Sequence, residues 1–106
     1  MIVYTVICEF DDDSTATEWA TWLRDEHLAD VCAAGAISAT LVRLEASARI
    51  YEARYIFPSR EDFGRYERDH APRLREEGLR LFPLRRGLRY RRTLAEVIAT
   101  CSPPSV

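Results

Sequence analysis

The sequence contains no lysine, so all fifteen of its basic residues are arginine. It has no apolar run near the roughly 18 residues that cross a membrane. Its start, Met1-Ile2-Val3-Tyr4, lacks the basic region of a signal peptide. These absences predict a cytoplasmic protein that does not engage a membrane. The 106 residues are 47% hydrophobic and 30% charged, which is typical of one globular domain.

Cysteine and histidine are scarce. Cys8, Cys32 and Cys101 are an odd count without a CxxC pair, which favours reduced thiols over a disulfide frame or a zinc site. His27 and His70 lie far apart, and no carboxylates accompany them at ligand spacing, so we expect no metal. A glycine-rich phosphate loop is also missing, and we expect no cofactor.

Four segments have the composition of β-strands, and they cover residues 1–10, 36–45, 49–57 and 84–93. Both alternating faces of the first segment are largely apolar, which predicts a central strand. In the third segment the two faces differ. One carries Tyr51, Ala53, Tyr55 and Phe57, and the other carries Ile50, Glu52, Arg54 and Ile56.

Two helical regions separate these strands. Thr15 and Glu18 fit a capping box that opens the first helix, and Gly35 closes the region after an expected break near His27 or Leu28. The second region begins after Ser59 as N-cap. Pro72 should divide it into two helices, because proline lacks a backbone N–H.

The order β-α-β-β-α-β predicts an α+β, ferredoxin-like sandwich with a four-stranded antiparallel sheet and helices on one face. We expect this domain to span residues 1–97 and a flexible tail to span residues 98–106. The other face of the sheet is half polar, which suits a dimer interface or a ligand cavity. The helical spacing predicts a core made by Trp19, Trp22, Leu23, Phe63, Tyr66, Leu74 and Phe82.

The apolar stripe of the first helix ends in polar residues. Trp19, Trp22 and Leu23 are followed by Glu26 and His27 where the α-helical spacing calls for apolar residues, and Asp30 lies on the same side. A histidine can act as a general base at neutral pH, and a neighbouring carboxylate can fix its tautomer. The alternative is a histidine stabilised by the helix dipole, with Glu26 paired to an arginine such as Arg43 or Arg54.

Two further sets of residues admit a functional interpretation. His70 and Arg73 flank the predicted helix break, where free N–H groups and a guanidinium could hold an anion. The alternative is that His70 only caps the helices. The arginines between Arg85 and Arg92 could contact nucleic acid, but no RNP1-like pattern is present, and a charged edge strand is the better interpretation. We therefore expect no nucleic-acid binding.

Three motifs together resemble a small bacterial family known as a domain of unknown function. They are Met1-Ile2-Val3-Tyr4, then Trp22-Leu23-x-x-Glu26-His27-x-x-Asp30-Val31-x-x-x-Gly35, then Tyr66-x-x-x-His70-Ala71-Pro72-Arg73-Leu74-Arg75-Glu76. The family is similar to the dimeric α/β-barrel superfamily, which includes antibiotic-biosynthesis monooxygenases and stress-responsive barrel proteins. The resemblance implies a homodimeric barrel with a cavity in each subunit. It also implies that His27 faces the cavity, as a histidine does in several members.

Two functional hypotheses follow. In the first, the chain is a cofactor-independent oxygenase or isomerase in which His27, assisted by Glu26, acts on a small metabolite. Trp22, Asp30, His70 and Arg73 are then the candidate ligand-binding residues. In the second, it is a non-catalytic dimer that binds a ligand or serves in assembly. A cavity in which His27 and Glu26 face a bound ligand favours the first hypothesis, and a filled interior with His27 hydrogen-bonded only to backbone favours the second.

Overall fold

The structure, a computed structural model, describes residues 1–105. Its four strands are β1 (Ile2–Phe10), β2 (Ser38–Arg43), β3 (Ile50–Phe57) and β4 (Leu88–Glu96). Its α-helices are α1 (Asp13–Trp22), α2 (Leu28–Ala33), α3 (Arg60–Asp69) and α4 (Ala71–Leu81). A π-helical segment, Leu23–His27, joins α1 to α2, and we call it the π turn. A short 3₁₀ turn, Leu84–Arg86, precedes β4.

The strands form one antiparallel sheet in the order β2-β3-β1-β4. In register, Tyr4 of β1 lies between Tyr55 of β3 and Leu94 of β4. Alternate residues of β1 and β3 are buried, which shows that the helices cover one face of the sheet. The predicted ferredoxin-like α+β fold is therefore confirmed.

The helix starts show which capping predictions were right. Ser59 caps α3 as predicted, since its Oγ accepts a hydrogen bond from the Asp62 N–H at 3.1 Å. The capping box of Thr15 and Glu18 was wrong. Asp12 caps α1 instead, and its Oδ1 accepts from the Thr15 N–H at 2.8 Å. A carboxylate one turn earlier is an equally good acceptor, so the helix begins at the earlier residue.

The covered face of the sheet holds the core. All seven predicted core residues are buried, which confirms the prediction that two helical stripes face one sheet. The members of this set are Trp19, Trp22, Leu23, Phe63, Tyr66, Leu74 and Phe82. Aromatic side chains on the covered face of β1 and β3 complete the core. Tyr4, for example, packs against Phe63 with 5.0 Å between ring centroids.

Within residues 1–105, no helix covers the opposite face of the sheet. On β3 this face holds Ile50, Glu52, Arg54 and Ile56, as the alternation predicted, and the Glu52 and Arg54 side chains pair at 2.9 Å. β1 contributes Val3, Thr5 and Ile7, all half-buried. We call this surface the helix-free face.

The ends of the chain differ from the predicted strand bounds. β4 begins at Leu88 rather than at residue 84, because Leu84–Arg86 turns and Gly87 adopts a positive φ of 88°. Beyond β4, the Val97 N–H donates to the Met1 carbonyl at 2.8 Å, and residues 98–105 have no regular structure. The predicted flexible tail also includes Val106, which lies outside the described residues.

Candidate functional site

The π turn sets the geometry of the site. The Leu28 N–H donates to the Leu23 carbonyl, an i to i+5 hydrogen bond that widens the helix by one residue. Residues five apart therefore face the same way, and His27 stacks on Trp22 with 4.5 Å between ring centroids and 28° between planes. The predicted helix break near His27 was wrong, because the wider turn accommodates the polar residues without interrupting the helical backbone.

The same turn corrects the prediction for Glu26. In an α-helix Glu26 would follow Trp22 on the inner side, but the extra residue of the π turn gives that place to His27. Glu26 is exposed instead. Arg54, one of the two arginines predicted to pair with Glu26, pairs with Glu52 instead. The structure therefore separates the two residues that sequence reasoning assigned jointly to proton transfer.

A cavity of about 60 Å³ lies between the helices and the covered face of the sheet. The sheet lines it with Tyr4, Val6, Ala53, Tyr55, Tyr90 and Arg92. The first helical region lines it with Trp19, Trp22, Leu23 and His27, and the second with Tyr66, Leu74, Arg75, Gly78 and Leu79. Its wall combines aliphatic side chains with tyrosine and tryptophan rings and with the polar groups of His27, Arg75 and Arg92.

Two residues that line this cavity each have a side-chain nitrogen without a hydrogen-bond partner among the described residues. These nitrogens are Nε1 of Trp22 and Nδ1 of His27, and both are buried. Trp19 provides the contrast, because its Nε1 donates to the Tyr90 hydroxyl at 3.0 Å. Most buried polar atoms are paired, and an exception calls for an explanation. Both residues line the cavity, so a ligand or a water molecule bound there could pair with these nitrogens.

Burial lowers the pKa of His27 from 6.5 to about 4, and the nearby negative charge of Asp30 opposes that shift only in part. The imidazole is therefore neutral at pH 7. One ring nitrogen then carries a proton and the other can accept one. Burial also raises the pKa of Tyr66 and of Tyr90 to about 12, so both phenols stay protonated.

A second polar group borders the cavity at Tyr4. Its hydroxyl accepts hydrogen bonds from Nη2 of Arg75 at 3.2 Å and from Nε of Arg92 at 3.1 Å. Arg75 also pairs with Glu67 at 2.9 Å, and the Arg92 guanidinium lies 5.3 Å from the Tyr90 ring centroid. The prediction of a solvated edge strand was right, since β4 lies at the edge of the sheet and Arg92 is exposed, but sequence reasoning missed that the Arg92 guanidinium also reaches Tyr4. The signal in the sequence was that Arg92 follows Tyr90 by two residues, which places both side chains on the same, inner face of β4.

The remaining candidate residues meet in a different place. Asp30, His70 and Arg73 line a surface groove of about 310 Å³ between the end of α2 and the junction of α3 and α4. Nδ1 of His70 lies 3.3 Å from Nη2 of Arg73. Trp22, by contrast, lines the cavity, and Leu74 is common to both linings. Ligand binding in this groove stays a prediction.

Neither a metal centre nor a membrane span is evident in the structure. Within residues 1–105, no three His, Cys, Asp or Glu side chains cluster where they could hold a metal ion. No helix in that part of the chain is long and apolar enough to cross a membrane.

Residues 1–97 match the family described as Domain of unknown function (DUF4286). The chain belongs to the DUF4286 family. The match covers all four strands and all four α-helices of the structure. Among curated proteins, none matches this DUF4286 chain.

Solved structures resemble the DUF4286 chain in fold. A dimeric ferredoxin-like protein from an uncultured marine organism shares 14% identity over 97% of this chain and 100% of its own, with a TM-score of 0.71. HapK from Hahella chejuensis shares 13% over 99% and 100%, with a TM-score of 0.70. SnoaB from Streptomyces nogalater, described as a cofactor-independent oxygenase, shares 12% over 93% and 94%, with a TM-score of 0.64. At such identities the likeness concerns the fold alone.

Proposed function

We propose that the DUF4286 chain binds a small metabolite in the cavity between its helices and its sheet. One observation carries this proposal: Trp22 and His27 both line the cavity, and each has a buried side-chain nitrogen, Nε1 and Nδ1, without a partner among the described residues. Leaving a buried donor or acceptor unpaired costs roughly 1–3 kcal/mol. A bound polar group would recover that energy.

The local backbone supports the same proposal. π turns inside α-helices occur frequently at functional sites, because the extra residue redirects a side chain at a cost in helix stability. In this chain the redirected side chain is His27, and it lines the cavity. A chain that only needed a packed core could place an apolar residue there in an ordinary α-helix.

We also propose that two chains associate through the helix-free face. Val3, Ile7 and Ile56 place apolar surface there, next to the ion pair of Glu52 and Arg54. An apolar surface with a polar surround is typical of an interface. The ferredoxin-like protein from the marine organism is itself described as dimeric, and it has a similar fold.

The chemistry we propose is a cofactor-independent oxygenation or isomerisation with His27 as the base. The neutral imidazole would take a proton from an acidic C–H or O–H of the ligand. In an isomerisation that proton would return to another ligand atom, and in an oxygenation molecular oxygen would react with the resulting anion. Burial keeps the pKa of His27 near 4 in the ligand-free protein. The imidazolium that forms on proton transfer therefore needs to be stabilised by the negative charge left on the ligand.

The alternative is a non-catalytic dimer that binds the same metabolite or serves in assembly. The low pKa of His27 favours this alternative, because a good general base has a pKa near the working pH. The two functions share the cavity and differ in whether the ligand is consumed.

A metabolite screen by thermal shift tests the proposal, with His27→Ala as the site variant and Glu26→Gln as its control. We expect a ligand to raise the melting temperature of the parent and of Glu26→Gln but not of His27→Ala. Conversion of that ligand by the parent alone, followed by mass spectrometry and oxygen uptake, would support the enzyme. Binding without conversion would support the alternative. A ligand that stabilises His27→Ala as well as the parent would defeat the proposed site.

A further inference from the structure

The hydrogen-bonding groups around the cavity are mostly donors. A tyrosine hydroxyl has one O–H donor and two acceptor lone pairs. Arg75 and Arg92 occupy both acceptor positions of the Tyr4 oxygen, at 3.2 and 3.1 Å. The Tyr4 hydrogen is therefore left to donate, and the described residues supply no acceptor for it. The indole N–H of Trp22 is a second unused donor in the same wall.

The charge at the Tyr4 end of the cavity is positive. Arg75 is neutralised by Glu67, which it contacts at 2.9 Å. Arg92 forms no ion pair with any residue in the described part of the chain and instead lies over the Tyr90 ring. Its guanidinium has N–H donors to spare beyond the one given to Tyr4. A ligand that complements these groups must supply acceptor atoms and negative charge.

The volume limits the size of the group that enters. About 60 Å³ is less than half of the roughly 150 Å³ cavity that holds benzene. A short-chain carboxylate therefore fits this space better than an aromatic ring does. A larger acid would have to extend outward, and Leu79 is a lining residue with 46% of its surface exposed.

We propose that the cavity selects a short-chain carboxylate, or the carboxylate end of a longer aliphatic acid, through Tyr4, Arg75 and Arg92. This inference rests on the proposed function, since it names the ligand class of the same cavity. The carboxylate accepts hydrogen bonds from the Tyr4 hydroxyl and from the Arg92 guanidinium. Trp22 and His27 face the remainder of the ligand, where a polar substituent on the chain of a longer acid pairs with their unpartnered nitrogens.

The two tryptophans provide the measurement. The ¹H–¹⁵N spectrum contains two indole signals, one for Trp19 and one for Trp22, and Trp22→Phe assigns them. We would titrate acetate and propionate against the neutral acetamide and propionamide, with chloride holding the ionic strength constant. We expect a saturable shift of the Trp22 indole signal with the two carboxylates and none with the amides.

Charge-matched variants locate the carboxylate. Arg92→Gln and Tyr4→Phe should each weaken acetate binding by about tenfold or more, because a hydrogen bond to a charged group is lost. Arg91→Gln is the control, since Arg91 lies next to Arg92 on the opposite face of β4. It should change the affinity less than twofold. Tyr4→Phe keeps the buried ring, so it provides a second variant if one of the others fails to fold.

The outcomes separate this inference from the proposed function. Equal binding of acetate and acetamide, or an equal loss in Arg91→Gln and Arg92→Gln, would overturn the carboxylate assignment while leaving a cavity that binds small molecules. Benzoate binding as tightly as acetate would overturn the size limit. If neither the acids nor the amides shifted the Trp22 signal, and no compound from the metabolite screen did so, both proposals would be wrong.

Discussion

At the scale of single residues, the site depends on a pair of rings that a regular helix would not bring together. Trp22 and His27 stack because they are five residues apart across the π turn. Each then has a buried nitrogen without a partner among residues 1–105. Evolution commonly retains such groups for function at the expense of stability, and two residue-scale predictions follow from this view.

The first prediction concerns pH. His27 has a pKa of about 4 in the folded chain and 6.5 normally, so the unfolded chain binds the extra proton between these values. The free energy of unfolding therefore has its full His27 contribution above pH 6.5. It decreases by up to about 3 kcal/mol as the pH falls towards 4. Urea unfolding at pH 7 and pH 4.5 measures it. His27→Phe keeps the ring stacking and should lose less stability over this interval than the parent. An identical loss in both proteins would contradict the assignment.

The second prediction uses two helical glycines. A Cβ at Gly78 would lie 3.4 Å from the Trp22 ring, at the cavity wall, whereas one at Gly64 would meet only Arg60 at 3.7 Å. Both Gly→Ala changes should stabilise a helix by about 0.5–1 kcal/mol, which raises the melting temperature by roughly 4 °C. Only Gly78→Ala should also weaken ligand binding. Equal ligand response in both variants would mean that Gly78 does not border the ligand.

At the scale of helices and strands, the sequence allowed most of the fold to be predicted. Period-two alternation located β3 and its two faces, and Ser59 and Pro72 located α3 and α4, because these signals act locally. The π turn could not be predicted, since its hydrogen bond depends on packing that the α-helical period does not encode. That one difference exposed Glu26 and turned His27 inward. The group of Tyr4, Arg75 and Arg92 was missed because it joins three distant segments.

The helix caps give a prediction at this scale. Ser59 accepts from the Asp62 N–H at 3.1 Å and donates to the Asp62 carboxylate at 2.8 Å. Ser59→Ala should therefore cost about 1 kcal/mol of stability, visible as a lower denaturant midpoint with an unchanged slope. Ser102→Ala, in the segment without regular structure, is the control and should leave the midpoint where it is. A drop in both variants would point to a cause other than the cap.

At the scale of the whole molecule, the two faces of the sheet differ, and we propose a separate task for each. One packs against the helices and encloses the cavity, and the other, the helix-free face, is available to a second copy.

We predict a homodimer, so light scattering at micromolar concentration should give twice the 12.2 kDa of one chain. Ile56→Arg, which places a charge on that face, should yield a folded monomer. Thr17→Arg, on the exposed side of α1, should stay dimeric. A parent protein that runs as a monomer would contradict the proposed interface.

The central claim is that the cavity between helices and sheet is a small-molecule site built on Trp22 and His27. The most direct test is a crystal structure of the protein with a compound that raises its melting temperature. We predict an atom of that compound within hydrogen-bond distance, about 3.2 Å, of Trp22 Nε1 or His27 Nδ1. A compound bound instead in the groove of Asp30, His70 and Arg73, with the cavity unchanged, would contradict the account.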